Sequence, residues 1–401
     1  MTKKTGGKKV VIIVLDGVGA GPAPDSARYG DAGPNTLGHV LERAAASGGF
    51  AGLPVLERLG LGNITPLPAI LPAHGPLASY GLMRELSAGK DTITGHWEMM
   101  GILNTKPFPA FPEGFPPDII TEFEEATGRK VIGNRAASGT AIIEELGARH
   151  LNTGELIVYT SADSVFQIAA HTGVVGTGEL YGICEKARRL LSGPGKNVCR
   201  VIARPFEGTP GSFRRIPEKR KDFPQPPPAE TVIDRLAANG VPVFSVGKVA
   251  EMFGMRGFTA GTVKTADNRQ GMEEIEKLVK NPGQCLIFAN LNDFDTLYGH
   301  RNDVAGFWRA LAEFDSLLGG LLPVLGAEDS LFITADHGND PTKPGTDHTR
   351  ELVPVLFMEG RGQRRGPGRD LGVRQGFMDL GATAASMFGI KAPRGESFSL
   401  S

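Results

Sequence analysis

The stretch Gly89-Lys90-Asp91-Thr92-Ile93-Thr94-Gly95-His96-Trp97-Glu98 concentrates reactive side chains: two threonine hydroxyls behind a glycine-lysine entry, leading into a helical run from Trp97 to Met100. A threonine at or just before a helix N-terminus sits where backbone N–H groups and the helix dipole favour an anion, so it is suited to carry a phosphate. A hydroxyl is a weak nucleophile until its proton is removed or masked. No base adjoins it in sequence, so a metal ion is the economical activator. The plain alternative is that Thr92 or Thr94 caps the helix, with Asp91 favourable near its positive end. Residue types alone do not choose between the two threonines.

Metal ligands are available elsewhere in the chain. The run Val10 to Leu15 ends in Asp16; Leu286 to Leu291 leads into Asp293-Phe294-Asp295, with His300 five residues beyond; Ser330 to Thr334 leads into Asp336-His337, with His348 following. In an open parallel sheet the carboxyl ends of the strands converge on one crevice, so acids far apart in sequence become neighbours. Packed carboxylates repel one another unless cations neutralise them, and interleaved histidines are the usual further ligands of Mn²⁺ or Zn²⁺. Asp16, Asp295, His300, Asp336, His337 and His348 are too many for one ion with an open position and suit two, spaced about 3.5–4 Å apart for in-line phosphoryl transfer. Taken singly, each Asp reads equally as a turn former and each His as a surface or core residue. His39, His74, His150 and His171 have no acidic company in sequence and read as structural.

The elements that must position these groups follow from periodicity. Val10 to Leu15 is a continuous β-branched run, the pattern of a strand buried on both faces. Helical spacing predicts Thr36 to Ala46 and Pro54 to Leu59. From Glu230 strands (Val241–Val246, Leu286–Leu291, Ser330–Thr334, Val353–Phe357) alternate with helices (Thr231–Ala238, Met272–Val279, Val304–Leu322, Met378–Phe388), which predicts a doubly wound, mostly parallel α/β sheet. Two proline-rich tracts, Lys106 to Pro112 and Phe223 to Pro228, interrupt this order. They predict a discontinuous core of residues 1–103 and 228–401 with a smaller α+β cap, 104–227, inserted between. Inside the insert, helices Asp118–Ala126, Thr140–Leu146 and Glu179–Leu191 alternate with strand-like runs Leu156–Thr160 and Val198–Ala203.

Composition narrows the partners. At 401 residues the chain is long enough for two domains. With 43 Lys plus Arg against 44 Asp plus Glu, nothing favours nucleic acid, so a small molecule is the expected partner. The three cysteines form no CxxC pair, which argues against a thiolate metal site and fits a reducing cytoplasm. No run approaches the ~20 apolar residues of a membrane helix. Oligomeric state is left open.

The motifs Val14-Leu15-Asp16-Gly17-Val18-Gly19, Gly89 to Glu98, Ile132 to Thr140, Tyr159 to Val165, Val201 to Phe206, Asp293 to Asp295 with Gly299-His300-Arg301, and Thr334 to Asp340 with Gly345 to Arg350 resemble those of the alkaline phosphatase superfamily and, within it, of the phosphopentomutase family. The resemblance spans nearly the whole chain. It implies Thr92 as the phosphorylated residue, one Mn²⁺ on Asp295, His300 and His348, another on Asp16, Thr92, Asp336 and His337, and a sugar phosphate held by Ser161, Asp163, Arg204 and Lys248. It further implies interconversion of (deoxy)ribose 1-phosphate and 5-phosphate through a phosphothreonine and a 1,5-bisphosphate, primed by a bisphosphate sugar, under a cap that excludes water. Gly17 departs from the serine common in the family at a position with no expected ligand role. A phosphomonoesterase or a different mutase on the same core is the rival enzyme, and a catalytically dead sugar-phosphate binding protein is the rival outside enzymes.

Overall fold

A computed structural model describes residues 7–48, 51–161, 164–193, 196–360, 362 and 366–398. In chain order its strands are β1 (Lys9–Leu15), β2 (Ser79–Met83), β3 (Val131–Ala136), β4 (Leu156–Thr160), β5 (Val165–His171), β6 (Arg200–Glu207), β7 (Arg214–Arg215), β8 (Lys221–Pro224), β9 (Val243–Val246), β10 (Gly261–Val263), β11 (Cys285–Leu291), β12 (Ser330–Thr334), β13 (Val353–Met358) and β14 (Asp370–Arg374). Two compact units form, one of residues 1–106 and 227–401, the other of 107–226.

The larger unit is built on an eight-stranded sheet of order β10-β9-β11-β1-β12-β13-β2-β14. The five strands from β10 to β12 run parallel, while β13 is antiparallel to both its neighbours. Every residue of β1, β11 and β12 is buried, as their mostly apolar sequences require of strands covered on both faces. Helices Thr36–Ala46, Asn268–Lys280 and Val304–Leu321 pack with one another, and Thr92–Met99, Val232–Ala238 and Met378–Ser386 form a second packed set. This is the doubly wound arrangement anticipated from the alternation. Strand β2 and the edge strands β10 and β14 escape a hydrophobicity reading because they are short and carry glycine or polar residues.

The smaller unit holds a six-stranded mixed sheet, β3-β4-β5-β6-β7 with β8 also paired to β6. Its main core gathers Phe115, Ile119, Phe123, Phe166, Leu180 and Val201, among others. The insert is thus richer in strands than its sequence suggested. β5 follows β4 after a short connection, so the two read as one segment, and the second expected run shifts C-terminally to Arg200–Glu207.

Candidate active site

Register sets the site. Val14 of β1 pairs with Thr334 of β12 in parallel, so Asp16 and Asp336, each two residues further on, stand level on adjacent strands. The Asp16 N–H donates to the Leu291 carbonyl of β11 at 3.2 Å, bringing the third strand end to the same edge. Gly17 turns the chain away at φ +78°, and its N–H donates to Asp336 Oδ1 at 3.1 Å. A Cβ there would stand 3.1 Å from that of Asn339 in a backbone region that L side chains rarely adopt, so glycine is the least strained choice. Past β11 the chain winds through a π-helical turn, Phe294–Tyr298, that carries Asp295 inward, buried. Such turns insert one residue and recur at functional sites.

The helix predicted from Trp97 begins earlier, at Thr92, and runs to Met99. Its cap is Asp91, not a threonine. The Asp91 carboxylate accepts the Thr94 N–H at 3.1 Å and the Thr94 hydroxyl at 2.6 Å. Thr94 is therefore buried and engaged, whereas the hydroxyl of Thr92, the first helical residue, lies 3.1 Å from His337 Nε2. This separates the two threonines that residue type could not.

His337 Nε2 also faces Asp16 Oδ1 at 3.4 Å and Asp336 Oδ2 at 3.5 Å. Those two buried oxygens have no hydrogen-bond partner among the described residues. Ligand atoms of Asp16, Asp336 and His337 all lie within 4.8 Å of one another, as do those of Asp295, His337 and His348. His348 Nε2 is 3.3 Å from Asp295 Oδ1, and the half-exposed His300 points Nε2 at Asp295 Oδ2 and at His348 Nε2, both at 3.2 Å. Buried carboxylate oxygens without donors, and imidazole nitrogens aimed at one another and at acids, fit divalent cations in pairs. The chain thus brings together Asp16, Thr92, Asp295, His300, Asp336, His337 and His348.

Electrostatics match this packing. Burial, with Asp336 and Asp295 nearby, pushes Asp16 up to about 6. Against the same burial, His348 and His300 hold Asp295 well below the usual carboxylate range, and His337 and His96 depress Asp336. His337, though buried, is raised well above an ordinary histidine by Asp336 and Asp16. A cluster that retains protons on its imidazoles would release them when cations take their place.

Lys248, exposed just beyond β9, donates to Asn292 Oδ1 at 2.8 Å. In the smaller unit, Ser161 and Arg204 line a pocket of about 230 Å³ together with Tyr159, Arg200, Arg215 and Arg220. Arg204 donates through Nε and Nη2 to Gln167 Oε1 at 3.1 and 2.9 Å. Burial, and then Arg220, lower the proton affinity of its guanidinium. Asp163 lies outside the described residues.

A family model for the metalloenzyme superfamily matches residues 8–392. The phosphopentomutase of Thermotoga maritima is 52% identical over 383 residues, covering 95% of this chain and 96% of the relative. That of Caldanaerobacter subterraneus is 50% identical over 383 residues, covering 96% and 95%. The chain belongs to the phosphopentomutase family. A third phosphopentomutase, from Anaeromyxobacter sp. strain K, is 51% identical over 393 residues and covers 98% of each chain. Among solved structures, Leishmania mexicana phosphoglycerate mutase at low cobalt concentration aligns with 99% of this chain and 98% of its own, at 13% identity and a TM-score of 0.49.

Several residues around this phosphopentomutase-family site were not singled out from sequence. Asn339 donates to Asp295 Oδ1 at 2.7 Å and Asn290 to Asp16 Oδ2 at 3.0 Å. His96 Nδ1 lies 2.8 Å from the Thr92 carbonyl and 3.3 Å from Asp336 Oδ2. Asn339 and His96 fall within the quoted motifs, and their position four residues beyond Ala335 and Thr92 was the available signal. His39, read as having no acidic company, pairs with Asp340 Oδ2 at 2.6 Å; 301 residues separate them, so only the fold reveals the pair.

Proposed function

We propose that this chain interconverts the 1-phosphate and 5-phosphate of ribose or deoxyribose by relaying a phosphoryl group through Thr92. The observation that carries the reading is the Thr92 hydroxyl, freed by the Asp91–Thr94 cap and set 3.1 Å from His337 beside donor-less carboxylates, in a chain of this family. Two divalent ions, manganese in this reading, held by Asp295, His300 and His348 and by Asp16, Asp336, His337 and the Thr92 oxygen, would neutralise phosphoryl charge and keep that oxygen deprotonated.

The chain's own groups do the rest. Thr92, primed by a sugar bisphosphate, passes its phosphoryl to the free hydroxyl of the incoming monophosphate, giving a 1,5-bisphosphate. The phosphoryl at the other end then returns to the Thr92 oxygen, and the sugar leaves with its phosphate moved. The amide ends of helix Thr92–Met99 stabilise the phosphate while it resides there. Ser161 and Arg204, with Arg200, Arg215 and Arg220 around the same pocket, are assigned to the phosphate that does not react, as is Lys248. Asp163 is assigned to the sugar on family resemblance. Cys184, Cys199 and Cys285 are buried and form no disulfide among the described residues, in keeping with a reducing cytoplasm.

Incubation with Mn²⁺, a sugar bisphosphate and ribose 5-phosphate, followed by phosphorus NMR, tests the proposal. Ribose 1-phosphate is expected. Free phosphate as the main product would make the enzyme a hydrolase instead. Thr92→Ala should lower turnover by roughly a thousandfold or more, as loss of a covalent nucleophile does, and full turnover in that variant would refute the assignment.

A further inference from the structure

Arg350 is among the largest fully buried side chains, 2% exposed, two residues beyond His348. An arginine so placed must spend its donors on protein, and their targets converge. Nη1 donates to the Gly89 carbonyl at 2.6 Å and to the Glu85 carboxylate. Nη2 donates to the Glu85 carbonyl at 2.8 Å and to Asp25 Oδ2 at 3.1 Å. The guanidinium lies over the Tyr29 ring at 4.7 Å, and the Tyr29 hydroxyl donates to the Ala88 carbonyl at 3.1 Å. The backbone N–H of Arg350 donates to Asp31 Oδ2 at 2.7 Å, the carboxylate that also meets Lys90 Nζ at 3.3 Å. Lys90 in turn reaches Asp347 at 3.0 Å.

Three of the guanidinium's contacts fall on Glu85 and Gly89 in the loop that delivers Thr92, and Tyr29, Asp31 and Asp347 tie Ala88 and Lys90 of the same loop to Arg350 and the segment that carries His348. The other side of the loop is pinned separately: buried Glu98 accepts the Leu86 N–H at 2.9 Å and the Ser87 N–H at 2.6 Å. We propose that Arg350 is a positioning residue that fixes the Thr92 hydroxyl against the His348 segment by clamping the carbonyls of the loop between β2 and the Thr92 helix. A planar fork can serve Gly89 and Glu85 at once, whereas an ammonium is a single point charge. This inference rests on the Thr92 relay proposed above.

Removing Arg350 alone would leave Glu85 as an unpaired buried acid, so Arg350→Met is paired with Glu85→Gln to neutralise that charge. In the folded double variant kcat is expected to fall about a hundredfold, the scale of a misplacement near 1 Å. KM for ribose 5-phosphate and the affinity for Mn²⁺ should hold, because neither the ligands nor the sugar-phosphate groups are touched. Arg350→Lys should retain an intermediate kcat, and it decides the matter should the double variant not fold. Wild-type kcat in a folded variant would overturn the proposal, and so would a kcat loss matched by an equal loss of Mn²⁺ affinity, which would place Arg350 in the metal site instead. Absence of mutase activity in the wild-type protein would sink the relay itself and is a separate result.

Discussion

At the scale of single residues, the acids of the site are held by buried neighbours that hydrogen-bond to them. Asn339 is buried and gives Asp295 its short hydrogen bond, and Gly17 and Gly299 both leave room for its side chain. Supports of this kind orient a ligand, and losing one commonly costs 10–100-fold in metal affinity. Asn339→Ala is therefore expected to weaken Mn²⁺ binding on about that scale while Thr92 stays in place, measurable by calorimetric titration of the chelated protein. His150 illustrates the opposite case, a histidine without chemistry. It is buried, its Nδ1 faces the Glu155 carbonyl, and its Nε2 accepts the His171 N–H at 2.9 Å, so the neutral ring is the one that fits. Burial accordingly lowers its pKa from the ordinary 6.5. The unfolded chain then binds the extra proton first, so this contribution to stability is complete above pH 6.5 and is lost as pH falls through the folded value. Melting of the smaller unit should become pH-dependent below about 6.5, and His150→Gln should flatten that slope.

At the scale of elements, what could be read from sequence was whatever repeats or is buried. The mostly apolar runs of β1, β11 and β12 announce strands covered on both faces, and acids at their carboxyl ends announce a shared crevice. A sequence does not state register, and register alone puts Asp16 level with Asp336. Nor does it show which residue caps a helix when Asp91, Thr92 and Thr94 are all competent; the hydroxyl of Thr94 turns back onto Asp91, and Thr92 is what remains. Asp91→Ala should cost about 1 kcal/mol in stability, the usual value of a lost cap. It should also lower kcat, since the first helical turn holds the proposed nucleophile; a thermal melt and steady-state rates together check both effects.

At the scale of the whole molecule, the chain divides into two compact units, one made from two stretches of sequence and the other from the single stretch between them. Residues 107–226 bring their own sheet and a buried cluster from Phe115 to Ala203, enough for a domain of about that size to stand alone. Expressed as a separate fragment, this segment is expected to give a cooperative thermal transition and dispersed amide NMR signals; a collapsed spectrum would show that it borrows stability from the rest. The larger unit carries the feature with the longest reach. The wide turn at Phe294–Tyr298 holds one residue more than an ordinary helical turn, and that surplus swings Asp295 inward. In genetic terms the proposed ligand hangs on a single codon: a descendant that lost it is expected to shed the cation assigned to Asp295, and with it the proposed chemistry.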